Sequence, residues 1–111
     1  MDLMEQFVEF LEKNETYHME YWITIYGGSV ASQHIRFETQ LGETKKSHTL
    51  DRSIGSKEVV YEARIDGSLI DYKKIKTNIR LEQLFSKYEA HHKQHIASDY
   101  ILKEENEIRI N

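Results

Sequence analysis

The chain has 111 residues, the size of one ordinary domain, and should bury about two thirds of its unfolded surface. Hydrophobic residues make up 39% and charged residues 31%, which excludes the disordered class, and the lack of cysteine excludes disulfides, thiolate zinc sites and cysteine catalysis. A net charge of −4 disfavours a constitutive nucleic-acid binder.

The first predicted element is DLMEQFVEFLEKN. Leu3, Met4, Phe7, Val8 and Leu11 fall on one helical stripe, with Glu5, Glu9 and Glu12 opposite. Asp2 is the expected N-cap, and Asn14 can end the helix. So short a helix is marginal alone and must dock on something.

YHMEYWITIY, 17–26, alternates as a strand, with Tyr17, Met19, Tyr21, Ile23 and Ile25 on one face and Trp22, Thr24 and Tyr26 on the other. HIRFETQL alternates likewise. Between them, a three-residue loop over 27–29 would pair Tyr26 with Val30 and set Tyr21 opposite Ile35, so that the apolar faces coincide. Residues 42–57 read as a polar loop, with at most a short strand near His48–Leu50. EVVYEARIDGSLIDYKKI reads as a hairpin turning at Asp66–Gly67, pairing Ala63 with Ile70 and Tyr61 with Tyr72.

NIRLEQLFSKYEAHHKQHIAS reads as a second helix, capped by Asn78 or Thr77, with Leu81, Leu84, Phe85 and Tyr88 as its stripe. The tail, DYILKEENEIRIN, reads as one or two strands: Tyr100 and Leu102 share a face, as do Ile108 and Ile110. The order predicts one α+β domain over 1–111. Its sheet is mainly antiparallel, with four to six strands, and an N-terminal and a C-terminal helix pack on it. The acidic start MDLMEQFVEF lacks the bases of a signal peptide, and no apolar run approaches a membrane span, so the expected location is the cytoplasm.

Three of six histidines lie in HHKQH, 91–95. Positions 91, 92 and 95 continue the apolar stripe of the second helix. His91 and His95, four apart, are the only metal candidates, with His18, His34 or Asp99 as conceivable further ligands. The competing readings are a cation at a helix C-terminus, an amphipathic side chain at the core rim, and a pH-sensitive interface. No cofactor and no catalytic set is expected. Ser47, His48 and Asp51 can be grouped on paper, but sequence neighbours seldom form a triad. GGSVAS resembles a phosphate loop only superficially.

Charge is graded along the chain. Residues 1–20 carry six acids against Lys13, while residues 43–80 carry nine bases against six acids. The basic middle could serve nucleic acid if Lys45, Lys46, Arg52, Lys73, Lys74 and Lys76 converged. Usage rich in Lys, Glu, Ile, Asn and Tyr has the compositional look of short phage and mobile-element proteins of AT-rich bacteria. These features point to a small non-enzymatic interaction protein: a regulator or inhibitor that occludes a larger protein, such as a host nuclease or defence system, with the homodimer as one form in which it could act. The acidic stripe Glu5, Glu9 and Glu12, which could imitate nucleic-acid phosphates, and the aromatics Trp22 and Tyr26 are the expected contact residues. The alternatives are a metal-dependent or small-ligand enzyme using His91 and His95, and a nucleic-acid binder using the basic middle.

Overall fold

Alternation of period two dominates the centre of the chain, and the computed structural model resolves it into an antiparallel sheet. Residues 2–16, 19–96 and 107–110 are described. In order they form α1 (Leu3–Lys13), β1 (Glu20–Tyr26), β2 (Ser29–Leu41), β3 (Thr44–Ser53), β4 (Glu58–Ile65), β5 (Ser68–Lys76), α2 (Ile79–Ile96) and β6 (Glu107–Ile110). The first five strands are a meander, and β6 adds antiparallel to β1, giving the order β5-β4-β3-β2-β1-β6. This is the α+β arrangement that the pattern predicts. Among the described residues no helix is long and apolar enough to cross a membrane.

Local chemistry sets the helix ends. The Asp2 carboxylate accepts the Glu5 N–H at 2.8 Å, and Asn14 Nδ2 donates to the Phe10 carbonyl at 2.7 Å. On α2 the cap is Asn78, whose Oδ1 accepts from Leu81 N at 2.9 Å. Lys87 of α2 donates to the carbonyls of Leu11 and Asn14 at 3.1 and 2.9 Å, satisfying orphan acceptors at the end of α1. Arg80 forks onto the Glu12 carboxylate at 2.7 and 2.8 Å, which ties the two helices together again.

The hairpins correct three expectations. The first turn holds two residues, Gly27 and Gly28, both at positive φ, and pairs Tyr26 with Ser29 instead of Val30. That turn alone would put apolar and polar faces together. A bulge in β2 opposite Thr24 and Ile25 inserts one extra residue, Ala31, and restores Tyr21 opposite Ile35 as expected. The Ala31 carbonyl is not lost, because it accepts from Ile54 N at 2.9 Å. The second hairpin also carries a bulge, with a different outcome. Asp66 (φ 50°) and Gly67 (φ 84°) make the expected left-handed turn, but a bulge beside Ala63 pairs it with Asp71 and pairs Tyr61 with Lys73. Ile70 and Tyr72 therefore miss their expected partners. The third correction concerns 42–57. β2 and β3 form a long hairpin turning at Gly42–Glu43, and only 54–57 is loop. Tyr17, His18, Tyr100 and Leu102 lie outside the described residues, and Ile108 and Ile110 fall on β6.

Both helices dock on one face. Met4, Phe7, Val8 and Leu11 of α1, with Leu81, Leu84, Phe85 and Tyr88 of α2, cover Tyr21, Ile23, Ile35, Leu50, Val59, Tyr61 and Ala63. Each fully buried large side chain contributes about 1.5–3 kcal/mol of transfer free energy. One polar cluster crosses this face. Gln33, itself buried, donates to Tyr21 Oη at 2.7 Å and to Glu89 at 3.3 Å. Its carbonyl accepts from Arg52 at 2.5 and 3.2 Å; Arg52 also pairs with Glu82 and lies over the Phe85 ring at 4.6 Å. Thr77 and Arg52 hold the Glu82 carboxyl below its ordinary range.

His92 is fully buried at the end of the α2 stripe, edge-on to the Tyr21 ring at 5.1 Å. Burial pushes its pKa down to about 4, which Glu89 opposes only in part. The unfolded chain therefore takes up a proton near pH 6.5, where the native chain resists it.

Arg52→Ala, which leaves the Gln33 carbonyl without its donor and Glu82 with Thr77 alone, is expected to lower unfolding free energy by about 2–3 kcal/mol in urea titrations. A loss below ~0.5 kcal/mol would contradict the role given to this cluster. Stability should fall by up to about 3 kcal/mol between pH 6.5 and 4, and His92→Leu should flatten that limb. Equal stability of the native chain at pH 7 and pH 4.5 would contradict the burial of a neutral imidazole.

Candidate functional site

Since α1 and α2 share one face, the other face presents the alternate residues of the same strands. There Trp22 pairs across the strands with His34, Thr24 with Ser32, and His34 with Asp51. Cross-strand neighbours have Cβ atoms about 5 Å apart, close enough for short polar side chains to bond. His34 is the centre. Its Nδ1 lies 2.5 Å from Asp51 Oδ1, and its Nε2 lies 2.9 Å from Ser32 Oγ and 3.1 Å from Thr24 Oγ1. A carboxylate only accepts, so Nδ1 carries the proton; in the neutral ring Nε2 is then the acceptor, and a hydroxyl donates to it.

The Trp22 ring stacks on His34 at 4.7 Å with planes 15° apart, and the Arg36 guanidinium lies 5.9 Å from the indole centre. Arg36 in turn pairs with Glu38 at 3.1 Å and Glu20 at 3.5 Å. A cavity of about 330 Å³ opens beside His34, lined by Ser32, Asp51, Ser53 and Ser56, with Val60, Glu58 and Lys74 farther along the sheet. A second cavity, about 170 Å³, lies between α1 and the sheet among Phe7, Phe10, Phe37, Lys46 and His48. His48 stacks on Phe7 at 5.2 Å and sits 2.6 Å from Tyr61 Oη. Burial, aided by Lys46, lowers its pKa, and burial raises that of Tyr61 to about 12.

The residues singled out from sequence are dispersed. Trp22 is only 7% exposed, whereas Tyr26 on the same strand is 72% exposed. Glu5 and Glu12 are exposed and Glu9 half-buried, but Arg80 contacts Glu12 and approaches Glu5 at 3.9 Å, so the acidic stripe is partly neutralised. His91 is half-buried beside the core residue His92, and the His95 side chain lies outside the described residues, as do His18 and Asp99. Among the described residues no three His, Asp or Glu side chains gather as metal ligands. The basic residues are divided: Arg52 joins the core cluster, Lys73 pairs with Asp2, Lys74 with Glu58 and Lys45 with Glu38.

Ser47, His48 and Asp51 do not meet. The His48 side chain lies on the helix face and that of Asp51 on the other. Sequence reasoning missed the His34–Asp51 pair because it read β3 as loop. In TKKSHTLDRS only Leu50 is apolar, so no period-two signal was present. The usable signal was length: the eight residues HIRFETQL need a partner strand, and a Gly42 turn supplies one. Comparison with protein families, with curated proteins and with solved structures finds no match for the chain.

Proposed function

We propose that the protein works by association, as a small regulator or inhibitor that binds and occludes a larger protein. The observation that supports this reading is the exposure of apolar side chains on both faces around the β5 edge of the sheet and the neighbouring hairpin turn. Leu41 closes the β2–β3 hairpin, Ile65 closes β4, and Leu69, Ile70 and Tyr72 follow along β5; Leu41 is 86% exposed and the other four 36–52%. The two turns are neighbours, because Lys45 and Asp66 exchange hydrogen bonds at 2.7 Å. Exposed apolar residues are common singly, and their concentration along one edge strand and the turn beside it favours this edge as the contact region.

Strand addition at β5 is disfavoured. The Tyr72 N–H is taken by the neighbouring Asp71 carboxylate at 3.0 Å, a bulge interrupts the ladder near Ile70, and Lys73, Lys74 and Lys76 line the strand. The partner is therefore met by side chains. The acidic side of α1 and exposed Tyr26 are further contact candidates, whereas Trp22, enclosed by His34 and Arg36, offers little surface. The composition fits a mobile-element inhibitor, for which a host nuclease or defence protein is the expected partner class.

Leu69→Asp combined with Tyr72→Asp should leave stability within about 0.5 kcal/mol, since both residues are exposed. Affinity capture from the native host, with the double variant in parallel, tests the reading. The variant is expected to lose a protein that the native chain retains. Retention of the same protein by both would move the contact elsewhere. Light scattering on the purified chain reports whether that protein is a second copy.

A further inference from the structure

We propose that Ser32 is an activated nucleophile toward ester and other activated acyl donors, with His34 as its general base and Asp51 holding the imidazole. The inference is independent of the association reading, since it uses the middle of the sheet rather than its β5 edge. Each can fail without the other.

The argument rests on connectivity. A serine hydroxyl gains nucleophilicity when a base takes its proton as it attacks, and the base must present its free nitrogen to that hydroxyl. Here Nε2 faces Ser32 at 2.9 Å while Nδ1 is held by Asp51 at 2.5 Å, which is the tautomer such chemistry needs. Three elements of the fold fix the ring. Asp51 approaches from β3, Trp22 of β1 stacks on its plane, and the β2 backbone carries both Ser32 and His34. The bulge at Ala31 immediately precedes Ser32, a position where such irregularities re-aim a side chain. Ser32, His34 and Asp51 all line the 330 Å³ cavity, which therefore gives a reactant access to the hydroxyl.

The step balances without a co-reactant. Ser32 Oγ attacks the carbonyl carbon, and its proton passes to Nε2. The tetrahedral adduct collapses, the bond to the leaving oxygen breaks, and that oxygen takes the proton from Nε2. Water then attacks the acyl-serine by the same route and regenerates the hydroxyl. Ser32 and Gln33 are paired with strands on both sides, so their amides do not offer a paired-amide oxyanion hole. The site therefore favours donors with good leaving groups, and deacylation is the slow step. Thr24 Oγ1, 3.1 Å from Nε2, is the competing hydroxyl.

The test is labelling of the intact chain with a fluorophosphonate, in which the serine oxygen displaces fluoride at phosphorus and the proton goes to His34. Peptide mass spectrometry is expected to place one adduct on Ser32 and none on Thr24. His34→Ala and His34→Gln should each slow labelling by about 100-fold or more, and Thr24→Ala should not slow it. Asp51→Asn should slow it less and shift the pH profile of labelling, a change that a purely structural role would not produce. Melting curves establish that each variant is folded. Failure to label Ser32, an adduct on Thr24 instead, or equal rates in native and His34 variants would overturn the proposal.

Discussion

Apolar side chains on one face of this sheet must stay under the two helices, and the irregular first hairpin follows from that constraint. α1 is too short to persist alone, and it owes its place to Met4, Phe7, Val8 and Leu11 against the sheet. The sheet in turn needs every strand in phase. A two-residue turn at Gly27–Gly28 would by itself bring β1 and β2 together one residue out of phase. The bulge at Ala31 absorbs the difference, at some cost in ladder regularity. It keeps Tyr21 opposite Ile35, both buried beneath the helices.

Phasing also determines where polar groups go. On the helix face the largest polar group is a hydrogen-bonded cluster. Gln33 uses both ends of its amide, and Arg52 covers Phe85 with its guanidinium plane while bonding Gln33 and Glu82. His92 is tolerated there as a neutral ring against Tyr21. On the opposite face the same alternation brings hydroxyls, a carboxylate and an imidazole into cross-strand register, with water close by. Polar chemistry collects there because that face has no core to exclude it.

Elements with a strong apolar period were legible in the sequence. The stripes of α1 and α2, the caps Asp2 and Asn78, the pairing of Tyr21 with Ile35 and the Asp66–Gly67 turn all belong to this group. β3 was not legible, since its residues are polar on both faces and its place depends on pairing with β2 and β4 rather than on its own pattern. The conflict between a two-residue turn and the apolar faces of β1 and β2 was legible, but its resolution by a bulge at Ala31 instead of a longer loop was not. The candidate site went unseen along with β3. Ser32 and His34 are two residues apart, but Asp51 reaches them through the ladder that the sequence reading lacked. Among the histidines, the core-rim reading applies to His92, one residue from the expected metal candidate His91.

If one face holds the fold together and the other is left for chemistry and contact, adjacent residues of β2 should differ sharply in their effect on stability. The direct measurement is equilibrium urea unfolding of Ile35→Ala beside His34→Ala. Ile35 is fully buried, so its truncation should cost about 2–5 kcal/mol, whereas loss of the half-buried imidazole should cost about 1 kcal/mol. Equal losses, or a larger loss at His34, would mean that the polar face supports the fold, and the division of labour between the two faces would be wrong.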